Sequence, residues 1–270
     1  MAQLGVSVVP AAEEVERIRA VAQAADELGF DLLGIQDHPY QRRFLDTFSL
    51  IAVLIGETSR LRFFPDVANL PLRGPTMLAK ASASLDVLSG GRFELGLGAG
   101  AFWDAIAAMG GPRRSPRESL EALDEAIQII RRAWAGERGL AFEGKHYAVR
   151  GWEPGPQPAH EIGIWVGAYK PRMLELVGRS ADGWVPSLPY LPPPEVPAAQ
   201  RRIDDAARAA GRDPRSIRRI YNVMAADETG HAALESFVTE LGFDTLIFWL
   251  EDPAQVEHLA RDIAPPLREL

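Results

Sequence analysis

The sequence contains no cysteine. That absence excludes structural disulfides, thiolate zinc sites and a cysteine nucleophile together, so the fold must hold without covalent cross-links. Long apolar runs are missing too: none approaches the roughly 18 residues of a membrane span. Residues 1–9 also lack the basic start and long apolar stretch of a secretion signal, and the expectation is a cytoplasmic protein with no membrane partner. There is no excess of basic residues; the formal net charge is -8 and no basic patch stands out, which argues against nucleic acid as a partner. Histidine is scarce, at 5 residues, and His146, His160, His231 and His258 show no spacing that would gather ligands on one face. No metal site is expected. What is present is an ordinary globular composition, 47% hydrophobic and 24% charged, over 270 residues. An α/β barrel in one domain needs about 250 residues, so a single domain over residues 1–270 is expected.

Short apolar runs alternate with helical periods along the chain. Residues 4–9, 32–35, 61–67 and 93–97 are apolar and β-rich, while residues 15–28, 46–55 and 77–88 carry a helical period. Ser115, Pro116 and Glu118 spell a capping box with proline at the first helical position, and Leu120, Leu123, Ile127, Ile130 and Trp134 follow on one face. Residues 135–161 break the pattern and are predicted to form an inserted hairpin and loop. Four more strands are predicted at 162–166, 183–186, 217–223 and 246–250, with helices near 171–177, 194–210, 231–241 and 253–263. Eight strands in βα alternation, joined by right-handed crossovers, predict a (β/α)8 TIM barrel; an open doubly wound sheet is the alternative. Leu28-Gly29-Phe30-Asp31-Leu32-Leu33 recurs as Leu241-Gly242-Phe243-Asp244-Thr245-Leu246. Each copy ends a helix at glycine and begins a strand, which places both on the N-terminal face, where barrels keep stability rather than chemistry.

Chemistry in a barrel gathers at the C-terminal ends of the strands. The residues expected there are Asp37 and His38 after strand two, Asn69 and Arg73 after strand three, and Gly98, Gly100, Phe102, Trp103 and Asp104 after strand four. Gly167, Ala168, Tyr169 and Lys170 follow strand five. Gly96-Leu97-Gly98-Ala99-Gly100 is spaced G-x-G-x-G, not the G-x-G-x-x-G of a dinucleotide fingerprint, so its glycines serve either close packing or a nearby ligand. His38 beside Asp37 has the position and the pKa range for proton transfer. Trp103, Phe102 and Tyr169 can stack on a planar ring or simply pack, and Lys170 and Arg172 can meet a phosphate or sit solvated. These residues alone name no reaction.

The stretch from Leu78-Ala79-Lys80-Ala81 through Ser84-Leu85-Asp86-Val87-Leu88-Ser89-Gly90-Gly91-Arg92-Phe93-Glu94-Leu95-Gly96-Leu97-Gly98-Ala99-Gly100 resembles the central signature of the bacterial-luciferase-like superfamily of flavin- and deazaflavin-dependent oxidoreductases. The resemblance extends to Leu70-Pro71-Leu72-Arg73, Glu125-Ala126-Ile127 with Trp134, Phe142-Glu143-Gly144-Lys145-His146-Tyr147, Ile164-Trp165-Val166-Gly167 and Ala181-Asp182-Gly183-Trp184. It implies a (β/α)8 barrel with FMN or coenzyme F420 at the mouth. It also implies a strand-three bulge behind the ring, often with a non-proline cis peptide, at Asp66, Val67, Ala68 and Asn69, with Gly98, Ala99 and Gly100 alongside. Gly167 and Ala168 are implied at the phosphate, with Tyr169 and Lys170 nearby. Gln36-Asp37-His38 looks like the Asp-His after strand two of many deazaflavin enzymes, which makes His38 the implied catalytic residue, Asp37 a cofactor neighbour, and F420 the favoured cofactor.

On that resemblance the chain transfers a hydride to or from a small organic substrate. With FMN it would instead be a monooxygenase using O2 and reduced flavin from a separate reductase. Deazaflavin sugar dehydrogenases carry a glutamate and a tryptophan where this chain has Ala101 and Arg42, which argues against sugar-phosphate oxidation. Ala101 also keeps open a non-catalytic flavin-binding barrel. A hydrolase would need paired carboxylates or a metal constellation that the sequence does not offer. A homodimer through the helices after strands two and three is implied as well, and the substrate would be set by loops such as residues 189–194.

Overall fold

The computed structural model describes residues 2–224 and 229–270. Its strands are β1 (Gln3–Val8), β2 (Leu32–Ile35), β3 (Arg62–Pro65), β4 (Ala68–Asn69), β5 (Leu95–Gly98), β8 (Ile164–Val166), β9 (Gly183–Trp184), β10 (Arg218–Val223) and β11 (Thr245–Trp249), with β6 (Leu140–Glu143) and β7 (Ala148–Trp152) apart from them. The nine form one sheet in the order β3-β2-β1-β11-β10-β9-β8-β5-β4, and every pairing within it is parallel. β3 and β4 are two halves of a single stave interrupted at Asp66 and Val67, and the bridge between Phe63 and Phe93 closes the ring. Eight staves therefore make the barrel, and closure rules out the open sheet. β6 and β7 pair antiparallel as the expected hairpin.

The helices follow their caps. α1 (Val15–Glu27), α2 (Thr47–Glu57), α3 (Leu70–Arg73), α4 (Pro75–Ser89), α5 (Trp103–Ala108), α6 (Pro116–Trp134), α7 (Pro171–Ser180), α8 (Val196–Ala209), α9 (His231–Thr239), α10 (Pro253–His258) and α11 (Ala264–Arg268) are connected in chain order. Ser115 and Glu118 form the reciprocal capping box that starts α6, and Asp46 accepts the Ser49 N–H at the start of α2. The predicted helix at 253–263 widens into a π turn at Leu259–Ile263. Pro265 and Pro266 have no N–H to return to residues 261 and 262, so a regular α ladder cannot continue there. No described helix is long and apolar enough to cross a membrane.

Strand alternation produces two separate cores. Leu4, Val6, Val8, Leu33, Ile35, Leu95, Leu97 and Phe248 point outward into the layer between sheet and helices. Leu32, Phe64, Trp165, Val185, Ile220 and Ile247 point inward and fill the barrel itself, with Val67 packed against them. On the N-terminal face, the repeat has a physical job. Asp31 accepts the Leu4 N–H at 2.9 Å and Asp244 accepts the Arg219 N–H at 2.7 Å, each clipping its stave to the preceding one. Asp182 does the same for Ile164 at 2.9 Å, and Gly29 and Gly242 supply the positive φ, 78° and 68°, that turns the chain into the repeat.

Candidate active site

Period-two alternation carried one step past the inner core builds the floor of the mouth. Above Gly5, Phe64, Gly96, Trp165, Ile220 and Ile247 come Ser7, Asp66, Gly98, Gly167, Asn222 and Trp249 on the same inner faces. Apolar filling thus gives way to polar atoms and glycine at the C-terminal ends. Gly96 and Gly98 are there for packing: a Cβ on Gly96 would lie 2.0 Å from the Pro65 carbonyl oxygen, and one on Gly98 would lie 2.7 Å from Val67 Cγ2. They let β5 pass beneath the strand-three bulge, where the Asp66–Val67 bond is cis. Gly167 differs, because a Cβ there would meet Val67 Cγ2 only at an ordinary 3.5 Å. Protein packing does not demand that glycine.

Asp66 stands at the centre of this floor. Its Oδ1 accepts from Asn222 Nδ2 at 3.0 Å and its Oδ2 from Ser7 Oγ at 3.4 Å, linking staves one, three and seven. Burial pushes its carboxyl up to about 6, against the lowering effect of those two hydrogen bonds. It nevertheless keeps some accessible surface, so it lies deep without being sealed. Asn222 also donates to Ser187 Oγ at 3.4 Å, and Tyr169 Oη accepts the Ser187 N–H at 3.1 Å. Three buried polar atoms around this floor have no partner: Asn69 Oδ1, Asn222 Oδ1 and Trp249 Nε1. Unpartnered buried groups are uncommon in folded proteins, and three at one strand-end layer are a place for a ligand.

Asp37 is 1% exposed, and its carboxylate is fully engaged within the protein. Oδ2 accepts from the Asn69 N–H at 2.8 Å and from Arg73 Nε at 2.7 Å, while Oδ1 accepts from Arg73 Nη2 at 2.7 Å. This bidentate pair fixes the end of β4, and Arg73 reaches on to Asp46 at 2.6 Å while lying 4.5 Å over the Phe48 ring. Burial works against the Arg73 charge, but Asp37 and Asp46 outweigh it and hold the guanidinium above its usual value. Asp37 is thus placed as a support for the bulge. His38, next in the chain, turns outward from that support: its ring stacks on Tyr40 at 5.4 Å and meets Phe102 edge-on at 5.4 Å. Burial lowers its proton affinity below that of an ordinary imidazole, with the Asp37 charge opposing. The imidazole is neutral near pH 7.

The other expected residues divide. Val67, Ala68 and Asn69 form the bulge, with Ala68 paired to Leu97 and Asn69 to Gly98. Ala168 is buried, and its carbonyl accepts from Trp184 Nε1 at 2.9 Å. Tyr169 packs at 5.7 Å from Tyr190, and Lys170 is exposed at the start of α7. Ala99 follows β5, and Gly100, at φ 94°, faces Pro71 and Trp103 at the side of the mouth and not its floor. Ser7, Asn222, Trp249 and Tyr40 were not singled out from the sequence. For the first three the signal was available: each lies two residues beyond an inward core position of its own strand. A separate groove of about 940 Å3, lined by Val8, Arg17, Arg42, Phe44 and Leu250 among others, holds none of the expected site residues. The unpartnered polar atoms Asn69 Oδ1, Asn222 Oδ1 and Trp249 Nε1 converge at the mouth and not in this groove. Among the described residues no group of three or more His, Asp or Glu side chains is placed to hold a metal ion.

With this geometry in hand, known proteins provide the comparison. The family described as luciferase-like monooxygenase matches residues 1–265. A 5,10-methylenetetrahydromethanopterin reductase of Methanolobus tindarius is 33% identical over 79% of this chain and 62% of its own length. An F420-dependent hydroxymycolic acid dehydrogenase of Mycobacterium tuberculosis is 32% identical over 87% of this chain and 67% of its own. The chain therefore spans about two thirds of the length of these curated relatives. Among solved structures, the monooxygenase RslO1 from Streptomyces bottropensis superposes with a TM-score of 0.83 at 20% identity, covering 98% of this chain and 99% of its own. The coenzyme F420-dependent tetrahydromethanopterin reductase of Methanopyrus kandleri gives 0.79 at 17% identity, covering 98% and 99%. These two likenesses show the shared barrel.

Proposed function

Because the chain belongs to the luciferase-like monooxygenase family, we propose that it is an oxidoreductase holding a flavin or deazaflavin at the barrel mouth, with coenzyme F420 as the leading cofactor and a small, neutral organic compound as substrate. The observation that carries this reading is the floor of the mouth, where Asn69 Oδ1, Asn222 Oδ1 and Trp249 Nε1 lack partners beside the open Gly167. A planar ring edged with N–H and carbonyl groups fits that set, the indole N–H donating, Asn69 Oδ1 accepting, and the Asn222 amide presenting whichever of its two edges faces away from Asp66. Gly167 leaves room for close backbone approach, and the N-terminus of α7, with Lys170 before it, supplies positive charge for a phosphate. When bound, a deazaflavin supplies hydride transfer and FMN supplies oxygen activation.

The rest is the work of this chain. Neutral His38 takes the proton that an alcohol substrate loses, or returns it in the reverse direction. Tyr40 and Phe102 wall it on two sides, limiting water and favouring an apolar substrate. Arg73 is committed to Asp37 and Asp46, so it is not a free cation for a sugar phosphate. This agrees with Ala101 and Arg42 in place of the glutamate and tryptophan of the sugar dehydrogenases. An FMN-dependent monooxygenase fed by a separate reductase is the second reading, favoured by the description of the family itself. The test is titration of the purified protein with F420 and FMN, oxidised and reduced, followed by mass spectrometry of what stays bound. F420 binding with one site per chain supports the first reading, FMN binding supports the second, and binding of neither overturns both.

A further inference from the structure

Among the described residues, the carboxyl of Asp66 is an acid at the floor of the mouth that the proposed chemistry leaves unused. Its partners are a hydroxyl and an amide, Ser7 and Asn222, and among the described residues no guanidinium or ammonium group is paired with it. The other acid near the bulge, Asp37, has its charge matched by Arg73. Of the remaining titratable groups around the mouth, Tyr169 feels the Asp66 charge, Tyr221 is coupled in turn to Tyr169, and His38 is set by burial and Asp37. Asn222 Oδ1 has no donor, and the amide is held to Asp66 on one edge only. Asn222 can present either edge to the carboxyl: its N–H accommodates the carboxylate, and its oxygen, after a flip, accepts from the protonated acid. The site has a ready hydrogen-bonding arrangement for each protonation state.

From this geometry we infer that Asp66 is a proton-holding group whose proton uptake is coupled to the seating of a planar ligand in the mouth. The inference rests on the proposed function, since it takes a flavin or deazaflavin as the ligand. Asp66 retains some accessible surface, and it stands two residues beyond the inward-facing Phe64, at the mouth end of its stave. A ligand that fills the mouth removes the remaining water from the carboxyl. Desolvation disfavours the charged form, and nothing positive compensates it, so the carboxylate takes a proton from solvent and forms one O–H bond as the ligand binds. By linkage, binding weakens as pH rises between the proton affinity of the free site and that of the filled site, by up to about tenfold per pH unit. The barrel thereby binds its ring with a neutral floor beneath it, and an ionised Asp66 acts against an occupant that itself carries negative charge on the ring.

The experiment is isothermal calorimetry of oxidised F420 and of FMN binding at pH 7, in buffers of different ionisation heat, for the wild type, Asp66→Asn and His38→Ala. Groups on the ligand titrate equally in all three proteins and cancel in the differences. The wild type and His38→Ala are expected to take up a few tenths of a proton or more per site beyond Asp66→Asn. Asp66→Ser, which keeps a hydroxyl for Asn222, serves if the asparagine variant does not fold. Equal proton numbers in wild type and Asp66 variants overturn the coupling, as does loss of the extra uptake in His38→Ala instead. If both rings fail to bind wild type and variants alike, it is the functional reading that falls, and the coupling falls with it.

Discussion

In the proposed reading His38 and Asp66 exchange protons in the mouth, and burial moves their proton affinities in opposite directions. His38→Ala removes a half-buried ring from the rim and should leave thermal stability nearly unchanged, while single-turnover hydride transfer falls on the order of 10²-fold or more and cofactor affinity changes much less. Because burial lowers the His38 proton affinity, the acid limb of the wild-type pH–rate profile should lie below the ordinary histidine value and disappear in the variant. Asp66 carries a stability cost. Its carboxyl titrates near 6 in the folded chain and near 3.9 in an unfolded one, so the folded state binds more protons in between and loses stability as pH rises through that window. The loss is complete above about pH 6 and amounts to at most about 3 kcal/mol. Asp66→Asn should therefore raise the midpoint of chemical denaturation at pH 8 and have little effect at pH 4; an equal shift at both pH values would contradict the assignment. Such a cost is what a site-forming residue brings to a fold otherwise free to be more stable.

At the scale of elements, the inserted hairpin shows how separate motifs depend on one another. Glu125 of α6 accepts the N–H groups of Lys145 at 2.7 Å, His146 at 3.0 Å and Tyr147 at 3.1 Å, so one carboxylate closes the whole β6–β7 turn. Glu125→Ala releases three donors and should cost about 1–3 kcal/mol, with faster hydrogen exchange confined to residues 140–152. Uniform exchange across the barrel would show instead that the hairpin is integral to the core. Most elements were legible in the sequence because their signals are local: Ser115 to Glu118 for α6, and a bare apolar run for β2. The broken stave was not. Residues 61–67 read as one strand, since nothing in the pattern Leu61 to Val67 marks a bulge; only the family resemblance pointed to one at Asp66 to Asn69. The mouth was legible in part for the same reason. Asp37, His38 and the strand-four glycines follow strands directly, whereas Ser7, Asn222 and Trp249 become visible only when inward and outward faces are known. The engagement of Asp37 with Arg73 depends on a contact between a loop and the end of α3, 36 residues apart, which no local pattern encodes.

At the scale of the whole molecule, the exposed large apolar side chains of the described residues fall mostly into two sets, with Leu28 and Leu270 in neither. Phe102, Met109, Tyr190 and Met224 come from segments after staves four, six and seven, at the mouth end of the barrel. Val53 on α2 and Met77, Val87 and Leu88 on α4 form a second group, Leu88 being 75% exposed. The outward face of α2 bears Ser49, Ala52, Val53 and Gly56, with no charge among them. Exposed apolar side chains on these two helices, with Lys80 among them on α4, suit a second copy of the chain, the helices after staves two and three meeting across a two-fold axis. Light scattering should give twice the mass of one chain for the wild type and the mass of one chain for Leu88→Glu, whose folded stability should be otherwise unaltered; a wild-type mass of one chain would contradict the dimer. The central claim is that a flavin or deazaflavin sits on the floor between the Val67 bulge and Gly167, and Gly167→Val tests it most directly. Its Cβ meets ordinary contacts, 3.5 Å to Val67 Cγ2 and 3.8 Å to the Val185 carbonyl oxygen, while its added methyl groups occupy space kept for the ring; a melting temperature taken beside the titration shows that the variant is folded. The account predicts that fluorescence titration finds one binding site per chain for F420 or FMN in the wild type, and at least a tenfold weaker site in the variant; equal affinity in a folded variant would contradict it.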